Sequence, residues 1–266
     1  MLDSHHSVFI GKWHIGGHGV EALQPAAHGF DEIPWYRDSG ASLYAGRKVG
    51  KKKELSAEES KEYLTDKMTG DAVRFIDNYG AERKKGVSQR PFFLYLAFQA
   101  NHIPLQAPRE TIDRYRGRYD AGWEALRSER RERAGALGLV PADAPMVPQA
   151  ADWDALSPED RRHYARRMEV YAGMATAMDE QLGRVVAQLR ATGEYERTVF
   201  VFLSDNGAEA SDPHELLLGR LWLGTQYTRD IDRLGGPGAY VAIGAGWAGA
   251  AASPLATSKF YAGEGG

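Results

Sequence analysis

Not one cysteine occurs in this sequence. Disulfides, thiolate nucleophiles and cysteine–zinc sites are thereby excluded, and a cysteine-free chain folds as well in the cytoplasm as in the periplasm. Long apolar runs are missing too: none approaches the roughly 18 residues that a membrane-spanning helix needs, so no membrane partner is expected. Charge of one sign is not in excess. The 33 Lys and Arg stand against 36 Asp and Glu, for a net charge of −3, and no nucleic-acid partner is expected from that balance. There are no internal repeats, no glycine-rich phosphate loop and no nucleophile elbow. The opening MLDSHHSVFIGK has no basic stretch followed by a long apolar core, which predicts no secretory leader.

What is there suits a globular domain: 43% hydrophobic and 26% charged residues. Ser7 to Ile10 reads as a short buried strand stopped by Gly11. Residues 16–55, rich in Gly, Pro, aromatics and Lys, read as an irregular surface excursion, and the basic run Arg47 to Lys53 within it reads as a solvated loop. Ser56 with Glu59 forms a capping-box pattern that predicts a helix to about Tyr79, with Leu64, Met68, Val73 and Ile76 inward. Pro91 to Phe98 (PFFLYLAF) and Thr198 to Leu203 (TVFVFL) are continuous apolar runs of strand length, the pattern of strands covered on both faces. Tyr240 to Gly244 is a further candidate strand, and Gly244 to Pro254 reads as a small-residue loop. Arg127 to Arg133 reads as an exposed helical face. Ser157-Pro158 opens a helix to about Ala191, and its stripe of Tyr164, Met168, Tyr171, Met174, Met178, Leu182, Val185 and Leu189 is expected to pack in the core. Strands separated by long helices predict an α/β fold, a central mixed sheet flanked by helices on both faces, with ligands bound in the loops at strand ends.

Three strand-end stretches present polar groups directly after apolar runs: GKWH at 11–14, NHIP at 101–104 and SDNG at 204–207. Lys259, in TSKFY, is a fourth candidate. Lys12, His14, His102 and Lys259 are cations or donors suited to surround a tetrahedral anion, although each alone reads rather as a surface lysine or a hydrogen-bonded histidine. Asp205 and Asn206 offer hard oxygens suited to Ca²⁺ or Mg²⁺. Two ligands do not make a site, and Asp-Asn-Gly taken alone is more often a turn signal. His14 and His18 have the spacing of a helical zinc pair, but Gly16 and Gly17 lie between them and no Glu follows His14.

FIGKWHIG, PFFLYLAFQANHIPLQAP and MEVYAGMATAMDEQLGRVVAQLRATGEYERTVFVFLSDNGAE, in this order, resemble motifs of the sulfatase family in the alkaline phosphatase superfamily. YDAGWEALRSERRERAGALGLV and WAGAAASPLATSKFYAGEGG are similar to bacterial arylsulfatases in particular. The resemblance implies a hydrolase of small-molecule sulfate esters that uses Ca²⁺ and a formylglycine nucleophile. It implies that Asp205 and Asn206 ligate the metal, that Lys12 and Lys259 neutralise sulfate oxygens, that His14 contacts the nucleophile, and that His102 donates a proton to the leaving alcohol or phenol. Charge developing on the leaving oxygen is what such a cation-lined pocket relieves.

The sequence also departs from that family. Formylglycine is made from the Cys or Ser of a C/S-x-P-x-R motif. The chain has no Cys, and its one Ser-x-Pro, at Ser211, is not followed by x-Arg. The paired aspartates of the family's opening strand are missing as well. The resemblance therefore implies a partial catalytic domain over residues 1–266, incomplete at both ends, without the nucleophile segment and the C-terminal subdomain, and inactive alone. Two other readings stay open: a non-catalytic protein that binds sulfate or sulfated ligands, and part of a related phosphonate or phosphodiester hydrolase.

Overall fold

A computed structural model describes residues 4–15, 20–37, 43–44, 62–87, 89–141, 143–149, 151–213, 217–228 and 230–266. The chain divides into two units, residues 1–100 with 175–201 and residues 101–174 with 202–266. Each is described by itself.

The first unit is organised by a three-stranded parallel sheet in the order β2-β1-β3. The central strand β1, His6–Lys12, buries Val8, Phe9 and Ile10 completely, each such side chain contributing roughly 1.5–3 kcal/mol. β2, Glu32–Arg37, lies at one edge. Pro34 sits within it, which an edge strand tolerates because one side of its backbone needs no ladder partner. The excursion expected at 16–55 therefore contains a strand, hidden in the sequence by its proline and by the glycines around it. The basic run Arg47 to Lys53, the capping box at Ser56 and Glu59, and His18 lie outside the described residues. Helix α1, Leu64–Lys84, buries Leu64, Met68 and Ile76 as its spacing predicts, with Phe75 and Tyr79 beside them. Val73 is only half-buried.

β3, Phe92–Ala97, forms where expected but is not covered on both faces. Phe93 and Tyr95 are exposed while Phe92, Leu94 and Leu96 are half-buried. One face turns toward α1, with Phe92 edge-on to Phe75 and Tyr79 at 6.0 and 5.1 Å. On the other face Tyr95 stands edge-on to Phe9 at 5.3 Å and Phe93 stacks on Phe30 at 6.2 Å, and no described helix covers these two side chains, which stay exposed.

Gly11 closes β1 in a manner open only to glycine. Its φ is +126°, and a Cβ there would lie 2.0 Å from the Ala97 carbonyl oxygen. The close approach lets β1 and β3 stay paired up to the point where Lys12 leaves the sheet.

Helix α4, Pro158–Thr192, begins and ends as predicted and passes from the second unit into the first. Of the stripe, Met168, Met174, Val185 and Leu189 are buried, while Tyr164, Tyr171, Met178 and Leu182 are half-buried. The second unit also holds α2 (Arg109–Asp113), α3 (Gly122–Ala136), α5 (Leu217–Gln226) and α6 (Gly244–Ala252). The glycines and alanines of 244–254 form a helix rather than a loop. Their small side chains let it approach closely: a Cβ on Gly246 would meet the Trp123 ring at 2.6 Å. Trp123, Trp153 and Trp247 cluster at centroid distances of 4.8 to 5.7 Å. The Trp123 indole N–H donates to Ala151 O and that of Trp247 to Tyr164 O, at 3.0 and 2.9 Å, so both large rings are buried without stranding a donor.

Three further expectations are corrected. Tyr240 is half-buried and Val241 to Gly244 are buried, but the segment makes no strand; it runs irregularly into α6. Arg127 is not part of an exposed face: it is buried and donates to Val147 O and Glu124, while Arg130 donates to Ser253 O at 3.0 Å. Finally, the run Thr198 to Leu203 has no strand partner among the described residues. Val199 is 88% exposed, and Val201 to Leu203 are 72–79% exposed. Its apolar character suits a central strand, but a strand exists only when a neighbour takes up its N–H and C=O groups.

Candidate functional site

In the first unit, β1 delivers Lys12 at its last position, half-buried. Trp13 then anchors the turn. Its indole N–H donates to Leu23 O at 2.7 Å, and its ring stands edge-on to Phe9 at 4.9 Å. His14 follows, exposed, in the left-handed region with φ 51°, a conformation that costs a non-glycine residue of order 1 kcal/mol and tends to occur at functional turns.

In the second unit, residues far apart in sequence converge. His102 Nε2 lies 3.4 Å from the Lys259 ammonium nitrogen. The imidazole Nδ1 faces the Ile103 carbonyl at 2.6 Å. A carbonyl only accepts, so Nδ1 carries the hydrogen and Nε2 turns its lone pair toward Lys259. Lys259 is held by both its side chain and its backbone: Nζ pairs with Glu209 Oε2 at 3.0 Å, and N–H donates to Ala208 O at 3.0 Å. Thr257 and Phe260 flank it with φ of 69° and 81°. With His14, these are the non-glycine residues of positive φ among the described residues, and each lies within two positions of a predicted cation.

Glu209 itself is buried. Burial pushes its carboxyl up, but hydrogen bonds from Ser211 and Lys259 and the charge of Lys259 outweigh it, and the group stays below its ordinary value. No sequence signal singles this residue out; a glutamate in a polar loop normally points into water, and only the fold reveals that this one does not.

The Asp205-Asn206 turn lies just before this loop. Ser204 Oγ donates to Asn206 O at 2.6 Å and the Asn206 amide donates to Gly207 O at 2.9 Å, the local bonding of a tight turn. Gly207 packs against the chain's last residues: its N–H donates to Gly266 O, and a Cβ would lie 1.6 Å from Gly265 O. Asp205 is exposed. Among the described residues no three His, Asp or Glu side chains converge on a point that would hold a metal ion. Two oxygens fall short of the six to eight that Ca²⁺ takes and of the octahedron that Mg²⁺ demands, so the described residues do not by themselves fit either ion.

The structure thus brings His102 and Lys259 together, adds Glu209, and sets Lys12 and His14 on a separate strand-end turn of the first unit. The family model described as Sulfatase matches residues 2–240. An uncharacterized sulfatase of Schizosaccharomyces pombe is 32% identical over 98% of this chain and 50% of its own length. An arylsulfatase of Klebsiella aerogenes is 32% identical over 95% of this chain and 55% of its own. The crystal structure of Ps i-CgsB in complex with k-i-k-neocarrahexaose is 24% identical, with a TM-score of 0.45 over 76% of this chain and 37% of that one. The chain spans about half the length of the curated relatives it matches. Matched along most of its residues by the family model and by relatives of this identity, the chain belongs to the sulfatase family.

Proposed function

We propose that residues 1–266 are part of a catalytic domain that hydrolyses sulfate esters of small molecules, and that this chain supplies the cations and the general acid of the pocket. Lys259 and Lys12 neutralise sulfate oxygens. His102, once protonated, gives its Nε2 proton to the leaving oxygen as the sulfur–oxygen bond breaks. His14 serves the nucleophile, which receives the sulfuryl group. The observation that supports this reading is the 3.4 Å approach of His102 Nε2 to Lys259 Nζ across 157 positions of sequence: a cation and a proton-transfer group side by side suit an ester whose leaving oxygen gains charge.

The chain has no Cys and no Ser-x-Pro-x-Arg from which a formylglycine nucleophile is made. Alone, it is therefore expected to bind the anion without turning the ester over, since removing a nucleophile typically costs several orders of magnitude in rate. Asp205 and Asn206 are proposed as two ligands of a Ca²⁺ site completed by residues other than those described, and none of these steps passes through that ion.

The test combines binding with turnover. Inorganic sulfate added to the isotope-labelled chain should shift the His102 imidazole resonances in a saturable manner, while 4-nitrophenyl sulfate is hydrolysed no faster than in buffer. No shift at saturating sulfate would remove the anion site from this reading. Turnover would show that a nucleophile exists within the chain. Saturable binding of 4-nitrophenyl phosphate with no response to sulfate would favour the phosphate-ester relatives.

A further inference from the structure

We infer that Glu209 is a positioning residue of this site: its buried carboxylate holds the Lys259 ammonium against His102 and offsets that charge, so that His102 can take up a proton beside a lysine. The inference rests on reading His102 and Lys259 as the anion site, and deepens it.

The difficulty it resolves is electrostatic. A cation 3.4 Å from Nε2 disfavours the imidazolium that a general acid must become, by one to three pK units for a close charge. A general acid and a substrate-binding lysine therefore conflict unless a negative charge stands behind the lysine. Glu209 stands there. Its Oε2 lies 3.0 Å from Nζ, and its Oε1 accepts the Ser211 backbone N–H at 3.2 Å, which fixes the carboxylate's direction. Among the described residues, Asp212 and Tyr240 lie close to Glu209 as well. Asp212 is paired with the buried guanidinium of Arg167, which also donates to Ala242 O and lies over the Tyr164 ring. Burial pushes the Tyr240 phenol up, with Tyr227, Glu209 and Asp212 adding to the shift, so it stays neutral. The Lys259 backbone is tied to Ala208 and flanked by two left-handed residues, and the ammonium also lies 5.2 Å from the Phe260 ring centroid.

The experiment follows the His102 imidazole by NMR titration of the full chain, in sulfate-free buffer so that it does not depend on ligand binding. Glu209→Gln should lower the His102 midpoint by about one pH unit, and Glu209→Asp should restore most of it. Lys259→Met should raise the midpoint. In the Lys259→Met background, Glu209→Gln should bring the midpoint back down toward wild type, a comparison that remains available if the single Glu209→Gln variant does not fold. A midpoint that Glu209→Gln leaves within about 0.2 unit, in a folded protein, overturns the inference, as does movement of Glu209→Gln and Lys259→Met in the same direction. A sulfate response that fails while these midpoints move as stated would sink the anion site and leave the electrostatic coupling standing.

Discussion

Two apolar runs of this chain have nearly the same composition and opposite fates. Ser7 to Ile10 forms the centre of a sheet, with Val8, Phe9 and Ile10 wholly buried. Val199 to Leu203 is at least as apolar, yet every residue in it is half or more exposed. The first run has β2 on one side and β3 on the other; the second has no paired strand among the described residues. Apolar character supplies the incentive to be buried, but backbone pairing decides whether a strand exists to do it. The exposed run is a contiguous apolar surface of the kind that drives association.

The sharpest way to break this contrast is to substitute the same residue type in both runs. Phe9→Ala should destabilise by about 3–5 kcal/mol, through lost burial and the cavity left among Trp13, Phe30 and Tyr95, measured as a shift in urea midpoint. Gly11→Ala should cost on the order of 2–4 kcal/mol, because the new methyl meets the Ala97 carbonyl in a conformation strained for any L side chain. A Gly11→Ala protein as stable as wild type would show that β1 and β3 do not approach as described.

A smaller effect concerns how the buried run is fastened. Asp31 accepts the Ser7 backbone N–H and hydroxyl, at 2.9 and 3.0 Å. The Ser7 backbone hydrogen bond is the chief reason its carboxyl lies below the usual range, with help from the Ser7 hydroxyl, Arg90 and His6. The folded-state value is depressed, so the stabilisation is fully present above the unfolded carboxylate range and is lost as pH falls through the folded value. Asp31→Asn should flatten that acid limb of a stability–pH curve below about pH 4, and an unchanged limb would contradict the link. The smallest change is expected on the exposed run: Phe202→Ser should alter stability by no more than about 0.5 kcal/mol while reducing self-association in sedimentation or light scattering. A large loss of stability there would mean that the run is buried after all.

The sequence's legibility follows the same division. α4 was readable end to end because Pro158 and Gly193 punctuate it and its period of 3.6 is local information. The strand-end position of Lys12 and the Asp205-Asn206 turn were readable for the same reason: an apolar run stops at a glycine or at turn residues. The strand state of 199–203 was not, because pairing depends on residues elsewhere. The α6 segment reads as a loop because glycine and alanine say little about conformation, whereas Trp123 pressed on Gly246 says much. At the candidate site, His102 and Lys259 can be singled out, but their meeting across 157 positions, and the Glu209 carboxylate beside Lys259, depend on tertiary folding.

The tryptophan cluster has a practical corollary. Of the six tryptophans, Trp123, Trp153 and Trp247 lie in the second unit within 4.8 to 5.7 Å of one another, near enough for their excited states to couple. Circular dichroism in the aromatic bands, and the emission of these sheltered indoles, would thus serve as an optical gauge of the second unit's integrity. The loss of that signal during heating or dilution into denaturant can be timed separately from the melting of the parallel sheet.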